Sequence, residues 1–397
     1  MVAPLAPHGH GPSVSEAHHW TERADSVAGV ETALARAWAA AAAGPPAEEA
    51  DGSVVLRTRT RVLTLVVVAQ RPETAERALT AVARLAARHP SRAIVVGFGD
   101  PDGPAAIDAR ASVRCHLAPG AAREACVEHV LLRLGGEATR HPAAVAAPLL
   151  VHDLPVLAWW TDDPPIGSRP FGELAEMADR LLVDSGLFRD DGRERLVALA
   201  GEAASGRAIS DIGWMRLDPW RELIAGCFDR PGAAGFLPGA RRLRIVVGRP
   251  GSVVRLPKAA LLAGWLASRL GWRIERPLAP RRGGERLVAA FRREGGRVEL
   301  EIEPRDPGGG PTLRTPGSLL GVELELGRGR EHLAVTVTRA GDDLALAATR
   351  GGVPVVRAAG RLERFMDAIY LARSLEAVGR DVPFEEALPV AAALAGG

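Results

Sequence analysis

The clearest pattern along the chain is a continuous run of β-branched residues and leucine from Val62 to Ala69, as expected of a strand buried on both faces of a parallel sheet. From Pro72 the period changes. Ala75, Leu79, Val82 and Leu85 share one stripe of a helix that proline suits at its first position. Glu73 and Glu76 stand near the positive end of that helix and Arg84, Arg88 and His89 near its negative end, until Pro90 stops it. A second wholly apolar strand, Ala93 to Phe98, completes a right-handed strand, helix, strand unit.

The alternation predicts further elements in order: a strand at 111–117, a helix at 121–134, a strand at 148–160, a helix at 172–178, a strand at 179–185, a helix at 189–204 and a helical segment at 211–228. Pro155 removes a ladder donor and divides or kinks the strand that contains it. Together these predict an α/β domain with a mainly parallel sheet over residues 51–230. A Gly- and Pro-rich linker, 229–239, leads into a domain of different character over 240–397. There a strand at 242–248 and a helix at 256–270 precede five short alternating segments, 285–293, 297–303, 319–326, 332–338 and 344–349, and a closing helix at 361–378. That pattern predicts an α+β domain with an antiparallel sheet, one face of it buried.

Residues 1–50, rich in Ala, Pro, Gly and His with one helical piece at 30–43, are expected to be a flexible amino-terminal arm. Its His8, His10, His18 and His19 have no Cys or carboxylate at ligand spacing, so no metal site is expected.

Composition narrows the function. An apolar fraction of 47% with 25% charged residues is that of a globular chain able to fill a core in each half. The formal charge of +2 supplies no field for nucleic acid or for an anionic membrane, and neither is expected as a partner. Almost every basic residue is Arg, Lys258 being the only lysine, and Asn is absent; we read this as the codon bias of a GC-rich genome. No leader pattern precedes residue 32 and no apolar run approaches the length of a membrane span, so a cytoplasmic location is expected. Cys115, Cys126 and Cys227, an odd number without a CxxC, argue against a disulfide framework or a zinc site. Cys115 and Cys126 stand close enough to meet, either as a redox pair or as two buried inert thiols.

The sets of residues that catalysis requires are mostly missing. A phosphate-cradling GxxxxGK[ST] loop is not present, since Lys258 follows Leu256 and Pro257. Gly97-Phe98-Gly99-Asp100 follows a strand, but Pro101 and Pro104 stand where a helix should receive a pyrophosphate, and no cofactor is expected. Ser185 precedes Gly186 but lacks the glycine two residues earlier that a nucleophile elbow needs. His152 and Asp153 with Asp162 and Asp163 offer either a gathering of titratable groups at a strand end or turn formers and caps around Pro164-Pro165. Hence one reading is an enzyme or sensor binding a sugar phosphate at the first-domain strand ends, near Gly97, Asp153 and Asp162.

The other reading starts from the tryptophans, four of whose eight fall between residues 159 and 220. Neighbours on a strand face opposite ways, so Trp159 and Trp160 require a second buried layer or a partner. Trp214 and Trp220 lie six apart, with Pro219 starting a new helix and Arg216 and Arg221 alongside. The cluster of Trp159, Trp160, Asp162, Asp163, Trp214, Arg216, Trp220 and Arg221 has the composition of a partner-binding hot spot, and also of core filling between domains.

Several motifs in fixed order then bear on identity. Arg61 to Val67, His89-Pro90-Ser91-Arg92, Asp153-Leu154-Pro155-Val156 running into Trp159-Trp160, Ala178 to Ser185, Asp211 to Leu217 and Pro219-Trp220-Arg221-Glu222 resemble the amino-terminal domain of the OpcA family, collinearly from about residue 55 to 230. The resemblance implies binding to glucose-6-phosphate dehydrogenase, promotion of its active oligomer, and control of NADPH supply from the oxidative pentose phosphate pathway, with no chemistry of the chain's own. The Arg-rich composition looks like that of an actinobacterial member.

Overall fold

The computed structural model describes residues 15–44, 47–48, 54–59, 61–86, 88–117, 123–249, 251, 253–282, 284–307, 317–362, 367–376 and 379–396. It divides into two compact units, the first of residues 1–161, 169–180 and 367–375, the second of 162–168, 181–366 and 376–397.

In the first unit β1 (Ser15–Ala24), α1 (Val27–Ala43), β2 (Ala47–Glu48) and β3 (Val54–Arg59) precede β4 (Leu63–Ala69). Then come α2 (Pro72–Leu85), β5 (Ser91–Phe98), β6 (Ala106–Leu117), β7 (Arg123–Gly135), α3 (Pro142–Ala146), β8 (Val156–Trp160) and α4 (Arg169–Glu176). Their sheet runs in the order β1-β6-β7-β5-β4-β8. β4 pairs in parallel with both β5 and β8, and β5 in parallel with β7. All seven residues of β4 are buried, which accounts for its unbroken apolar run. The α/β architecture with a mainly parallel sheet is thus the one expected, with antiparallel pairs between β1 and β6, between β6 and β7, and between the short β2 and β3.

Two sequence expectations change here. Residues 121–134, expected as a helix, give instead β7. Val127, Val130, Leu131 and Leu134 mimic helical spacing, yet Glu128, Val130, Leu132 and Leu134 fall on one face at the strand period, and pairing on both sides overrides the local pattern. Residues 15–44, assigned by composition to the arm, form β1, paired antiparallel along β6, and α1. Trp38 and Ala37 of α1 pack with Trp20 against Val113, Cys115 and Cys126. His8 and His10 lie outside the described residues.

Cys115 and Cys126, cross-strand partners on β6 and β7, are joined as a disulfide, while Cys227 is a free buried thiol. Two inert thiols were one expectation for this pair. The period-2 register of β7, hidden behind its helical spacing, is what sets the two sulfurs opposite one another.

A charged hub sits inside this unit. Glu128, fully buried, faces Arg92 at 2.6 Å and Arg61 at 3.2 Å, and accepts from the Trp38 indole at 2.6 Å. Burial pushes its carboxyl up, but Arg92, Trp38 and Arg61 outweigh that and hold it below the ordinary carboxylate value.

The second unit holds β9 (Arg180–Val183), α5 (Arg193–Ala204), β10 (Ala208–Asp211), α6 (Ile212–Met215), α7 (Asp218–Phe228), β11 (Ala240–Gly248) and α8 (Pro257–Leu270). The strands β12 (Arg273–Pro280), β13 (Leu287–Arg293), β14 (Gly296–Arg305), β15 (Leu319–Arg328), β16 (Glu331–Ala340), β17 (Asp343–Arg350) and β18 (Val353–Arg361) follow. α9 (Asp367–Glu376), most of it counted with the first unit, and α10 (Val382–Ala395) end the chain. The eight strands order as β12-β13-β14-β11-β15-β16-β17-β18, antiparallel throughout except for β11 beside β14. The α+β expectation therefore holds.

The five meander segments read from sequence are β13 to β17; the two edge strands were missed. Pro277 and Pro280 in β12 and Pro354 in β18 blur the alternation, and prolines are tolerated where one side of a strand has no partner. The closing helix expected at 361–378 is shorter. β18 runs to Arg361, residues 363–366 lie outside the described residues, and the helix is α9.

α8 is apolar all round because it is buried all round, from Pro257 to Ala267 on most sides. It packs on α10 so closely that a Cβ at Gly264 would stand 2.5 Å from the Ala387 carbonyl oxygen.

Candidate functional site

Within the second unit, β9 and β10 are short, adjacent strands that both end on Asp-x-Gly: Asp184-Ser185-Gly186 and Asp211-Ile212-Gly213. A carboxylate at that place folds back on the amide two residues on, an Asx turn. Asp184 Oδ1 accepts from Gly186 N at 2.9 Å, and Asp211 Oδ1 from Gly213 N at 2.8 Å. The two turns then lock together. Ser185 donates its backbone N–H to Asp211 Oδ1 at 2.8 Å and its hydroxyl to Asp211 Oδ2 at 2.6 Å. Only glycine fits at 213, where a Cβ would stand 2.2 Å from Ser185 Oγ.

Arg216, just after α6, donates to Asp184 Oδ2 at 2.5 Å, and Arg255 donates to the Gly186 carbonyl at 3.2 Å. The side chain of Lys258 enters from the first turn of α8. A Cβ on Gly186 would lie 3.3 Å from Lys258 Cε and 3.4 Å from Arg216 Nη1, so both cations converge over that glycine. Asp211 and Lys258 are 1% and 8% exposed. Burial raises the Asp211 carboxyl to about 6 against the opposing bonds from Ser185, with Asp184 adding to the rise. Burial, helped by the Arg216 charge, lowers the Lys258 ammonium to about 8.

Chemically this is a rigid, charged platform rather than a nucleophile. The Ser185 hydroxyl is fully buried and spent on Asp211, and no histidine takes part. Among the described residues no group of three His, Cys, Asp or Glu side chains is placed to hold a metal ion.

The residues singled out from sequence fall into place as follows. Trp159, Trp160, Trp214 and Trp220 are each no more than 2% exposed, so in this chain they are core rather than open surface. The second layer that Trp159 and Trp160 demanded is internal: Trp160 stacks on Phe171 of α4 with ring centres 4.8 Å apart. Trp214 donates to Asp381 Oδ2 at 2.9 Å, packs on Phe384, and carries the Arg221 guanidinium over its ring at 3.5 Å. Asp381 in turn caps α10 through Phe384 N. Arg221 also pairs with Asp218 in the first turn of α7. Asp162 and Asp163 are buried, Asp163 facing Arg195 at 3.3 Å.

The sugar-phosphate constellation is not assembled. Gly97 stands at the carboxyl end of β5 and Asp153 precedes the amino end of β8, strands that both run parallel to β4, so the two lie toward opposite ends of these strands. The chain after Gly99 enters β6 rather than a helix, which leaves no helix end for a pyrophosphate. Of the platform residues only Arg216 was assigned a binding role from sequence; Ser185 and Lys258 were weighed there for catalysis and phosphate binding, and Asp211 opened one of the family motifs. The signals for the others were the repeated Asp-x-Gly after a short apolar strand and a single lysine in a chain that otherwise uses Arg.

A second polar feature lies on the exposed face of the eight-stranded sheet, a depression of about 360 Å³ lined by Arg242, Arg276, Arg281, Glu299 and Glu301. Glu301 within it pairs with Arg242 and Arg281 and with neighbouring Arg286.

Comparison with known proteins agrees with the motif order. Residues 82–200 match the N-terminal domain, and residues 207–388 the C-terminal domain, of the glucose-6-phosphate dehydrogenase subunit. The OxPP cycle protein OpcA of Synechocystis is 31% identical over 147 residues, 37% of this chain, and that of Synechococcus elongatus 31% over 231 residues, 55% of this chain. The matched stretch spans 30% and 47% of those relatives' own lengths. Among solved structures, aldose-aldose oxidoreductase from Caulobacter crescentus covers 84% of this chain and 96% of its own at 12% identity, with a TM-score of 0.44, too low to carry an argument about function. No helix among the described residues is long and apolar enough to cross a membrane. With both domain models matched in order, and with the motifs around Ser185 and Asp211 meeting in one platform, the chain belongs to the OpcA family of glucose-6-phosphate dehydrogenase subunits.

Proposed function

We propose that this chain is a non-catalytic assembly factor and allosteric activator of glucose-6-phosphate dehydrogenase, acting by protein-protein binding in the oxidative pentose phosphate pathway. The observation that carries this reading is the match of both halves, in order, to the two domains of the dehydrogenase subunit family. The geometry of the platform supports it: the one serine in a built polar site is spent on holding Asp211 and is closed to substrate.

The mechanism proposed is population shift. A bound partner moves the dehydrogenase between conformations only by as much as its affinity for the two differs. In this reading the buried tryptophans act from within. Trp214 and Trp220 hold α6, α7 and the cap of α10 in shape, and contact with the enzyme falls to residues outside the core. A cytoplasmic home belongs to the proposal; it requires the bond between Cys115 and Cys126, both fully buried, to be out of reach of cellular reductants.

The test is direct capture. Purified dehydrogenase passed over the immobilised 397-residue chain should give a saturable signal that free chain competes away. No saturable binding would remove the proposal.

A further inference from the structure

We infer that the second unit binds a small phosphate-bearing anion where Lys258 and Arg216 converge over Gly186 at the amino end of α8. The inference concerns this chain alone and stands or falls apart from its partnership with the dehydrogenase.

The case begins with a lysine left without a direct partner. Asp184 and Asp211 are the carboxylates of the platform, and all four of their oxygens are engaged: Asp184 by Gly186 N and Arg216, Asp211 by Ser185 and Gly213. Lys258 is 8% exposed, and among the described residues no carboxylate lies within ion-pair distance of its ammonium. Asp184 and Asp211 attract it from beyond contact, but a largely buried ammonium with no direct partner is still costly, and proteins pair such groups or place them against a ligand.

Its position makes the imbalance worse. Lys258 lies in the first turn of α8, where unpaired amides give a helix its positive end and where anions, not cations, are favoured. That end has no side-chain cap: Leu256 occupies the cap position, Pro257 follows, and the first helical hydrogen bond is Ala260 N to the Leu256 carbonyl at 2.9 Å. Pro257, Lys258, Ala259 and Ala260 are all buried, so water has little access to the amides of Lys258 and Ala259. A buried, uncapped helix end, a lysine without an ion pair and an arginine therefore face one place; burial first, then the Arg216 charge, lowers the Lys258 ammonium against the attraction of Asp184 and Asp211.

A phosphomonoester, with a charge of about −1.5 to −2 at neutral pH and three acceptor oxygens, can take Lys258, the helix end and the remaining donors of Arg216, whose Nη1 pairs with Asp184, better than a carboxylate with two oxygens and a single charge. Gly186 makes room, since any side chain there would meet both Lys258 and Arg216.

The test uses the full chain in a phosphate-free buffer. Inorganic phosphate, or glucose 6-phosphate in a parallel arm, is added against sodium chloride at matched ionic strength, and the melting temperature is followed. Wild type should gain thermal stability in proportion to the logarithm of probe concentration. Lys258→Met should melt higher than wild type without probe, because the buried charge is gone, and should lose at least tenfold in probe affinity. A response to inorganic phosphate alone points to the free ion as the ligand, and a stronger response to glucose 6-phosphate to an ester; either supports the site. No shift beyond chloride with both probes overturns it, as does a Lys258→Met chain that responds like wild type. If that variant does not fold, calorimetric titration of wild type with inorganic phosphate decides: one saturable site per chain supports the inference and no saturable heat refutes it.

Discussion

Asp211 is buried, ionised at neutral pH and held by three donors, so replacing it with asparagine separates the cost of its charge from the worth of its bonds. Burial lifts the carboxyl from the ordinary 3.8 to about 6, a change worth about 3 kcal/mol at about 1.4 kcal/mol per tenfold in proton affinity. Between those two values the folded chain keeps a proton that the unfolded chain has released. Stability therefore falls as pH rises through that window, and the cost is fully present above about pH 6. Asparagine offers the same carbonyl oxygen to Ser185 N and Gly213 N and an amide to Ser185 Oγ. Asp211→Asn should match wild type near pH 4 and exceed it by up to about 3 kcal/mol near pH 7.5. Urea unfolding followed by tryptophan fluorescence at several pH values gives this difference, in which every other titrating group cancels. A difference that does not change with pH, or a variant less stable than wild type at neutral pH, would refute the reasoning. A stabilised variant would also mark Asp211 as kept for something other than stability.

The remaining predictions address other parts of the frame. Glu128→Ala leaves the buried Arg92 guanidinium only half-exposed Glu31 and the Leu149 carbonyl as partners and should cost about 3 kcal/mol in chemical unfolding, the low end for a broken buried pair; because the carboxyl is held below 4.5 in the folded chain, its contribution in wild type is present above that value and fades as pH falls further. Trp214→Ala removes a fully buried ring and uncouples the cap of α10, at about 3–5 kcal/mol by the same assay. Reducing Cys115–Cys126, which spans 11 residues, should lower stability by about 3 kcal/mol and expose two further thiols to alkylation once the chain is unfolded, read by mass.

Much of the fold was legible because burial left a direct mark on the sequence. β4 and β5 carry unbroken apolar runs, and the meander strands alternate. β7 was not legible, because its apolar residues fall at helical spacing and only its neighbours on both sides decide for a strand. α10 escaped notice because Pro389 lies within it, tolerated in a helix anchored by Asp381 and packed along α8. The site was half visible. Arg216 and the motif around Asp211 stood out, but the tryptophans beside them fitted a partner-binding hot spot and core filling equally on composition, and only the fold shows their rings buried. Lys258 could not have been placed from sequence, since it reaches Gly186 from 72 positions away through the packing of α8.

The central claim, that this chain works by changing another protein, is tested most directly by titrating it into purified glucose-6-phosphate dehydrogenase while recording turnover and, by light scattering, oligomeric mass. The account predicts a saturable shift in rate or apparent substrate affinity, within the about 5- to 150-fold range of ordinary coupling, together with a stable co-complex. A dehydrogenase whose rate, affinity and mass are all untouched at saturating chain would contradict it.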